Sequence, residues 1–370
     1  MLQLHKAPTF GTAVRDTPMN KTLHFGLIGC GRIAARHADI MQQYGKLVAV
    51  CDIDEPKAIA LAAAHGAQSF TCHTNMLSAM AGQLDVVVVC SPNGLHPQHS
   101  IDSLQSGCHV LCEKPMSFTR EEANAMMDAA ETAGKQLWVV KQNRYNPPVM
   151  AVKQLLEEGK LGKILNVQLN CFWNRPESYY ANSWKGTLDL DGGTLYTQFS
   201  HFIDLLVWFF GPFHPSYVQL ANLQHQGVIE FEDTGIVAGH FDCGAMGSIH
   251  YTVNAYRQNM EGSITIFGEK GTIKIGGQYL NELDYQQLEG EPITGLPAGN
   301  PPNQYGNYTG SMSNHPLVYE AITGLLLKNG HGQLLNTSAE AAEAVAVIEN
   351  IYCMAGRSFK PLQPAQVASR

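Results

Sequence analysis

The hydrophobic positions in the first part of the chain form short runs separated by longer amphipathic stretches. Short continuous apolar runs are typical of strands buried on both faces, and their regular alternation with helices is typical of a parallel sheet. We therefore expect a doubly wound α/β domain over residues 22–143. Its predicted strands are Leu23–Ile28, Leu47–Cys51, Val86–Cys90, His109–Cys112 and Leu137–Val140, with helices at Ile33–Tyr44, Pro56–His65, His99–Ser106 and Arg120–Ala133.

The pattern changes after Asn146-Pro147-Pro148, where the strand-like segments become longer. The Gly-Glu-Lys-Gly sequence at 268–271 joins two of them and indicates a hairpin, which is an antiparallel pair. We expect an α+β domain over 144–370 with a large, mostly antiparallel sheet. Its predicted strands are Ile164–Trp173, Val228–Phe241, Met246–Val253 and the hairpin Ser263–Ile275; its helices are Val149–Glu158, Thr197–Phe210, 315–328 and 337–355, and 276–310 is a long loop.

Composition narrows the class of protein. The chain has 370 residues, 45 % of them hydrophobic, and a net charge of −8 without a basic run, so we expect no nucleic-acid partner. No apolar stretch is long enough for membrane insertion, and residues 1–21 lack the apolar segment of a secretory signal and are predicted to be a flexible arm. Nine cysteines without a CxxC pair suit reduced thiols in the cytoplasm, and no spacing favours a metal site.

A glycine-rich turn follows the first predicted strand and opens the first helix. Gly29, Gly31, Arg32 and Ile33 belong to a GxGxxA motif, in which glycines allow a pyrophosphate to approach the helix N-terminus. Asp52 ends the second strand, at the distance where a carboxylate binds the ribose hydroxyls, and acidic residues rather than basic ones follow it. The motif therefore predicts NAD rather than NADP; a flavodoxin-like domain without a dinucleotide is the alternative.

The carboxyl ends of the later strands carry further polar residues. In a doubly wound sheet, strand four lies beside strand one and strand five beside four, so their ends border the nicotinamide half of the site. We expect these residues to contact the cofactor: Ser91, Pro92, Asn93, His96, Glu113, Lys114 and Gln142.

A second cluster of polar residues lies on the predicted helix Thr197–Phe210. Thr197, His201 and Asp204 are spaced i, i+4 and i+7 and therefore share one face. His201 is either a functional group or a core histidine capped by Thr197. A metal reading would need ligand spacing that the sequence lacks.

Taken in order, these motifs resemble the glucose–fructose oxidoreductase / inositol dehydrogenase / rhizopine-catabolism family. The resemblance covers residues 22–357 and rests on the glycine turn, the Ser91–His96 turn, CEKP at 112–115, NRYNP at 143–147 and the Gly192-Gly193…His201 segment. It implies that Lys114 and His201 are catalytic. The family often has Asp four residues before the histidine, where this chain has Thr197, and that departure argues against a simple inositol or aldose dehydrogenase.

A narrower resemblance is to bacterial UDP-N-acetyl-2-amino-2-deoxyglucuronate dehydrogenases. It is carried by VKQNR at 140–144, FWNRPESYY at 172–180, WKGTLDLDGG at 184–193, QFSHFIDLL at 198–206, EDTG at 232–235, GAMGS at 244–248 and EGSITIFGEKGTIKIGG at 261–277. It implies oxidation of a sugar 3-hydroxyl in lipopolysaccharide O-antigen synthesis, with NAD, a UDP-sugar substrate and a homotetramer built through the second-domain sheets.

We expect Lys114 and His201 to flank the reacting hydroxyl, and either of them could be the base. Thr197 would bind the substrate. The uronate and diphosphate candidates are Arg144, Arg175, Lys185, Asn314 and His315, and Trp184 is a candidate for stacking on uracil or lining the pocket. The alternatives are a free-sugar or inositol dehydrogenase, an NAD-binding regulator without chemistry, and a structural interaction protein.

Overall fold

A computed structural model of the protein describes residues 21–181, 183–304, 309–328 and 332–360. The predicted N-terminal arm lies outside these ranges except for Lys21, whose ammonium is 2.6 Å from an oxygen of Asp85. None of the described helices is both long enough and apolar enough to cross a membrane.

The first sheet is parallel and has six strands, which confirms the predicted doubly wound architecture. Its strands are β1 (Leu23–Ile28), β2 (Gly45–Cys51), β3 (Gln68–Phe70), β4 (Val86–Val89), β5 (His109–Cys112) and β6 (Leu137–Val139). Their order is β3-β2-β1-β4-β5-β6, so the chain reverses direction across the sheet between β1 and β4. Ligands of open α/β sheets bind outside the carboxyl ends of the strands at this switch point.

Helices on both sides connect these strands: α1 (Arg32–Tyr44), α2 (Glu55–His65), α3 (His73–Ala79), α4 (His96–Gln105) and α5 (Arg120–Ala133). Local sequence explains the start of α5, because Thr119 and Glu122 form a reciprocal capping box. Strand β3 and helix α3 were not predicted, since a three-residue strand carries too little pattern to be recognised.

The second sheet has seven strands and is mostly antiparallel, as predicted. They are β7 (Ile164–Phe172), β8 (Phe213–Ala221), β9 (Thr234–Phe241), β10 (Met246–Thr252), β11 (Glu261–Gly268), β12 (Gly271–Gly276) and β13 (Glu282–Leu288). The order is β13-β12-β11-β7-β10-β9-β8, and only the β7–β10 pairing is parallel. Two short strands, β14 (Pro302–Gln304) and β15 (Thr309–Met312), form a separate ladder.

Two expectations about this region were wrong, and one strand was missed. The strand predicted from Val228 begins only at Thr234, and the predicted loop 276–310 contains β13. Strand β8 was not predicted. Both missed strands lie at edges of the sheet, where much of each strand faces solvent. Because an edge strand buries little surface, its polar sequence resembles a loop.

The remaining helices are α6 (Pro147–Glu157), α7 (Glu177–Tyr180), α8 (Ser200–Phe210), α9 (His315–Leu327) and α10 (Ser338–Met354). Side chains of α6, α8 and α10 form one core with the inward face of the second sheet. Helices α9 and α10 also contribute apolar side chains to the cores on the two faces of the first sheet. The C-terminal segment therefore packs against both sheets.

A single π-helical turn, Leu195–Phe199, precedes α8. The sequence predicted one regular helix from Thr197 to Phe210. Such turns occur often at functional sites, because they change the direction of side chains and carbonyl groups relative to a regular helix. Here the turn contains Thr197, and His201 follows in the first turn of α8.

Candidate active site

The glycine turn between β1 and α1 leaves space for a phosphate group. Gly29 has a φ of +93°, and a side chain there would meet the backbone of Cys90 and Ser91 at 2.6 Å. A Cβ on Gly31 would have no described atom within 4 Å, and no side chain caps α1. The helix N-terminus therefore faces an open cradle, as binding of a dinucleotide pyrophosphate requires.

Asp52 supports this turn from the end of β2. Its carboxylate accepts hydrogen bonds from the backbone N–H groups of Cys30, at 2.6 Å, and Asp54, at 2.8 Å. Asp52 is partly buried behind the cleft wall, so it holds the glycine turn in addition to the ribose role expected from its sequence position.

A cleft of about 1140 Å³ opens at the carboxyl edge of the first sheet and is lined by both parts of the chain. The structure brings most of the predicted residues together there: Gly31, Arg32, Ile33, Ser91, Asn93, His96, Glu113, Lys114, Gln142, Arg175, Trp184, Lys185, Thr197, His201 and His315. Gly29, Pro92 and Asp52 belong to the turns behind this wall.

Lys114 and His201 approach each other from the two parts of the chain. Nζ of Lys114 donates to the backbone carbonyl of Thr197 at 2.7 Å, and the Lys114–Pro115 peptide bond is cis. Burial lowers the pKa of Lys114, although Glu113 opposes the shift. Burial, reinforced by Lys114 and Lys141, lowers the pKa of His201 well below its ordinary value. Both groups are therefore biased toward their neutral forms, in which each can accept a proton.

Glu113 holds the backbone of Lys114 in place rather than its amine. One oxygen accepts from the Lys114 backbone N–H at 3.0 Å, and the other lies 2.9 Å from Nε2 of His37 and 3.6 Å from Nε2 of His315. Although burial opposes ionisation, the two histidines hold the pKa of Glu113 well below its usual range. The ring of His37 also contacts the Tyr319 hydroxyl at 2.7 Å.

The same three side chains, His37, Glu113 and His315, have ligand-type atoms within 4.8 Å of one another. They were not expected as a cluster, because α1, β5 and α9 bring them together only in the folded chain. The Glu113 carboxylate is hydrogen-bonded to the ring of His37 and to the backbone N–H of Lys114, so the cluster anchors the turn that carries Lys114.

The distal half of the cleft is cationic and aromatic. Lys185 lies 4.6 Å from the centre of the Trp184 ring and 4.8 Å from that of Tyr179. Arg175 lies over Trp173 at 4.9 Å, and its Nε donates to Gln198. Such planar and charged groups suit a base ring and a diphosphate or carboxylate.

Arg144 and Asn314, both expected as substrate ligands, are not among the described residues that line this cleft. The guanidinium of Arg144 is fully buried and donates two hydrogen bonds of 2.9 Å to Asp204 and one to Glu340. Asn314 donates to the backbone of Gln142 and the side chain of Asn146. Charge and polarity in the sequence could not show that these groups have internal partners.

Several cleft residues were not predicted. Lys57 lies near the glycine turn, Gln198 donates to the Tyr179 hydroxyl at 3.0 Å, and Asn303 and Ser311 come from the β14–β15 region. Lys141 lies 3.2 Å from Asp204 and acts electrostatically on His201 from behind the wall. Lys141 and Gln198 lie in the VKQNR and QFSHFIDLL segments that carry the narrower resemblance, so that similarity was the one signal that could have identified them. Lys57, Asn303 and Ser311 lie in none of the quoted motifs.

Comparison with known proteins agrees with this architecture. Residues 23–141 match the model "Oxidoreductase family, NAD-binding Rossmann fold", and residues 149–274 match the GFO/IDH/MocA C-terminal domain. The chain belongs to the Gfo/Idh/MocA oxidoreductase family. It is an NAD-dependent dehydrogenase that acts on CH–OH groups.

Two solved structures of WlbA dehydrogenases, each in complex with NADH and UDP-GlcNAcA, are similar over nearly the whole chain. The protein from Bordetella pertussis is 37 % identical and that from Chromobacterium violaceum is 34 % identical, and both have a TM-score of 0.80. Each match covers 93 % of this chain; it covers 99 % of the Bordetella chain and 98 % of the Chromobacterium chain. D-glucoside 3-dehydrogenase of Escherichia coli is 37 % identical over 154 residues, which are 41 % of this chain and 44 % of that protein.

Proposed function

We propose that this dehydrogenase oxidises the 3-hydroxyl of a UDP-N-acetylamino sugar uronate, with UDP-N-acetyl-2-amino-2-deoxyglucuronate as the substrate. The observation that carries the proposal is the charge of the cleft. Besides Lys114, four cationic side chains and one carboxylate line its described part, and that carboxylate, Glu113, is held by His37 and His315. An anionic cofactor together with an anionic nucleotide sugar matches this excess of positive charge.

Size and similarity support the same substrate. A cleft of about 1140 Å³ exceeds the upper range of ordinary small-molecule pockets, about 1,000 Å³, so it has room for a dinucleotide and part of a second ligand. The WlbA structures that cover 93 % of this chain contain UDP-GlcNAcA. The distal aromatic side chains Trp184 and Tyr179 are the candidates for contact with uracil, and Arg175 and Lys185 for the diphosphate or uronate.

The proposed chemistry places the substrate hydroxyl between Lys114 and His201, with Thr197 beside it. The C3–H bond breaks with its electron pair, the O–H proton goes to a protein group, and the carbinol becomes a ketone. Bound NAD⁺ supplies the acceptor for the hydride. The neutral Lys114 amine can take the proton, and the Thr197 carbonyl then holds the resulting ammonium.

A screen of UDP-sugars with and without the 6-carboxylate, followed by NADH absorbance, tests the substrate. We expect turnover of the uronate and at least about tenfold lower kcat/KM for the neutral sugar, because about 1.4 kcal/mol of lost ion pairing corresponds to that factor. Equal rates with free sugars would favour the second candidate, a free-sugar dehydrogenase, which the similarity to D-glucoside 3-dehydrogenase supports.

We propose that the enzyme acts in lipopolysaccharide O-antigen synthesis and lies in the cytoplasm, where its nine free cysteines would stay reduced. Loss of the corresponding sugar from the O-antigen of a deletion strain would test this role.

A homotetramer formed through the second-domain sheets belongs to the same proposal. The face of the second sheet opposite α6, α8 and α10 carries exposed Ile236 and Met246, which such an interface would cover. Light scattering coupled to size-exclusion chromatography measures the assembly state.

A further inference from the structure

Among the described residues, the ring of His201 has one hydrogen-bond contact. Its Nε2 lies 3.1 Å from the side-chain amide nitrogen of Gln142, while its Nδ1 is buried and has no partner among the described residues. Gln142 follows β6 and His201 begins α8, so the contact joins the two walls of the cleft. In this orientation of the Gln142 amide the nitrogen donates, so Nε2 of His201 accepts and the proton of the neutral ring resides on Nδ1.

The opposite orientation of the Gln142 amide would give the other tautomer. Its oxygen, which has no partner among the described residues, would then accept a proton from Nε2 and leave Nδ1 free to act as a base. That arrangement serves a histidine that becomes charged during the reaction. The choice therefore depends on whether the surroundings of His201 tolerate an imidazolium.

The surroundings of His201 favour a neutral ring. Lys114, on the turn after β5, and Lys141, at the end of β6, face it with positive charge. Asp204, on its own helix, is already bonded to Arg144 and Lys141, and Glu113 to His37. Four residues before His201, on the preceding turn, this chain has Thr197, whose side chain carries no negative charge. Burial is the largest cause of the low pKa of His201, and the two lysines add to it.

We propose that Gln142 is a positioning residue that fixes His201 as the Nδ1–H tautomer, so that His201 donates to the substrate oxygen and Lys114 takes the proton. This rests on the proposed function, in which Lys114 and His201 flank the hydroxyl. The O–H proton goes to Nζ of Lys114, the C–H electron pair and hydrogen go to the nicotinamide, and the oxygen, as it becomes a carbonyl, accepts from Nδ1–H of His201.

Substitution of Gln142 by glutamate distinguishes His201 as a hydrogen-bond donor from His201 as the base, because the two roles predict opposite changes in kcat. In Gln142→Glu the carboxylate only accepts, so the proton moves to Nε2 and the donor at Nδ1 is lost. We expect kcat to fall about 10- to 100-fold and a new ionisation, that of His201, to enter the pH profile. If His201 is the base, the same carboxylate stabilises its imidazolium and kcat stays equal or rises, which would overturn the proposal.

Two further variants exclude a general packing effect. Gln142→Met keeps the side-chain volume without the amide and should lower kcat while KM changes less than about threefold. The matched control is Asn143→Leu, in the same turn, because the Asn143 amide is buried, has no partner among the described residues and lies outside the cleft lining. A Gln142→Met enzyme with the pH profile and kcat of the wild type would contradict the assignment.

A spectroscopic measurement reports the tautomer of His201 in the wild-type protein, so it does not depend on whether a variant at position 142 folds. The ¹⁵N spectrum of histidine-labelled protein distinguishes Nδ1–H from Nε2–H rings, and His201→Asn identifies the signal by its loss. We expect the Nδ1–H form without substrate, and an Nε2–H form would overturn the proposal. Because this readout uses no sugar, failure to turn over UDP-sugars would count against the proposed function alone.

Discussion

Replacement of Arg144 by methionine should weaken the fold and leave substrate binding unchanged. The guanidinium joins the turn after β6 to Asp204 on α8 and Glu340 on α10, and no part of it reaches the cleft. The variant therefore distinguishes an internal ion pair from the substrate ligand that the position of Arg144 in the sequence suggested.

The expected magnitude follows from Asp204. Although burial opposes ionisation, Arg144 and Lys141 lower the pKa of Asp204 from an ordinary value of 3.8 to about 2. A shift of this size corresponds to about 2 to 3 kcal/mol, and removal of one partner from a buried pair typically costs about 3 to 5 kcal/mol. We expect Arg144→Met to lower the free energy of unfolding by about 3 kcal/mol, since Lys141 still pairs with Asp204.

Urea denaturation at fixed protein concentration measures the loss, and steady-state kinetics measure KM for the sugar. Because the folded-state pKa of Asp204 is depressed, its stabilisation is present above pH 3.8 and is lost as the pH falls toward 2. The difference between wild type and variant should narrow over that window.

The matched control is Glu157→Gln, which removes the exposed carboxylate of a pair with the partly buried Lys153 and should change stability by less than about 0.5 kcal/mol. An Arg144→Met enzyme of wild-type stability, with KM raised tenfold or more, would refute the assignment and restore Arg144 as a substrate ligand.

Three further outcomes are expected. Lys114→Met should lower kcat by a factor on the order of 10² to 10⁴ while NADH binding, followed by fluorescence, persists; unchanged kcat would remove Lys114 from catalysis. In the wild type, oxidation should rise with pH through the lowered pKa of Lys114, so an acid limb as high as 10.5 would contradict the neutral-amine mechanism. Gly31→Ala should weaken NAD binding without lowering the melting temperature, because the added methyl group projects into the open cradle. Isothermal titration calorimetry measures the affinity and differential scanning calorimetry the melting temperature. An unchanged affinity would place the pyrophosphate elsewhere.

The sequence predicted the features that depend on neighbours along the chain. Apolar runs indicated the buried strands of the first sheet, and the Gly29–Gly31 turn indicated the cofactor cradle, because strand period and turn geometry are local properties. The switch point then predicted that Lys114 would lie near the site, and the cleft does contain it. The edge strands β8 and β13 were missed because they bury too little surface to show a pattern.

Only the tertiary structure decided which polar groups face the cleft and which face each other. Arg144 and Arg175 are both buried arginines near the site. Arg144 contacts Asp204, which lies 60 residues away in the sequence, while Arg175 lines the cavity. Gln142 and His201 are 59 residues apart, and their contact, which we propose fixes a proton position, exists only after the two walls meet. Residue type sets what a side chain can donate, accept or neutralise. Its partner depends on long-range packing, which the order of residues along the chain does not reveal.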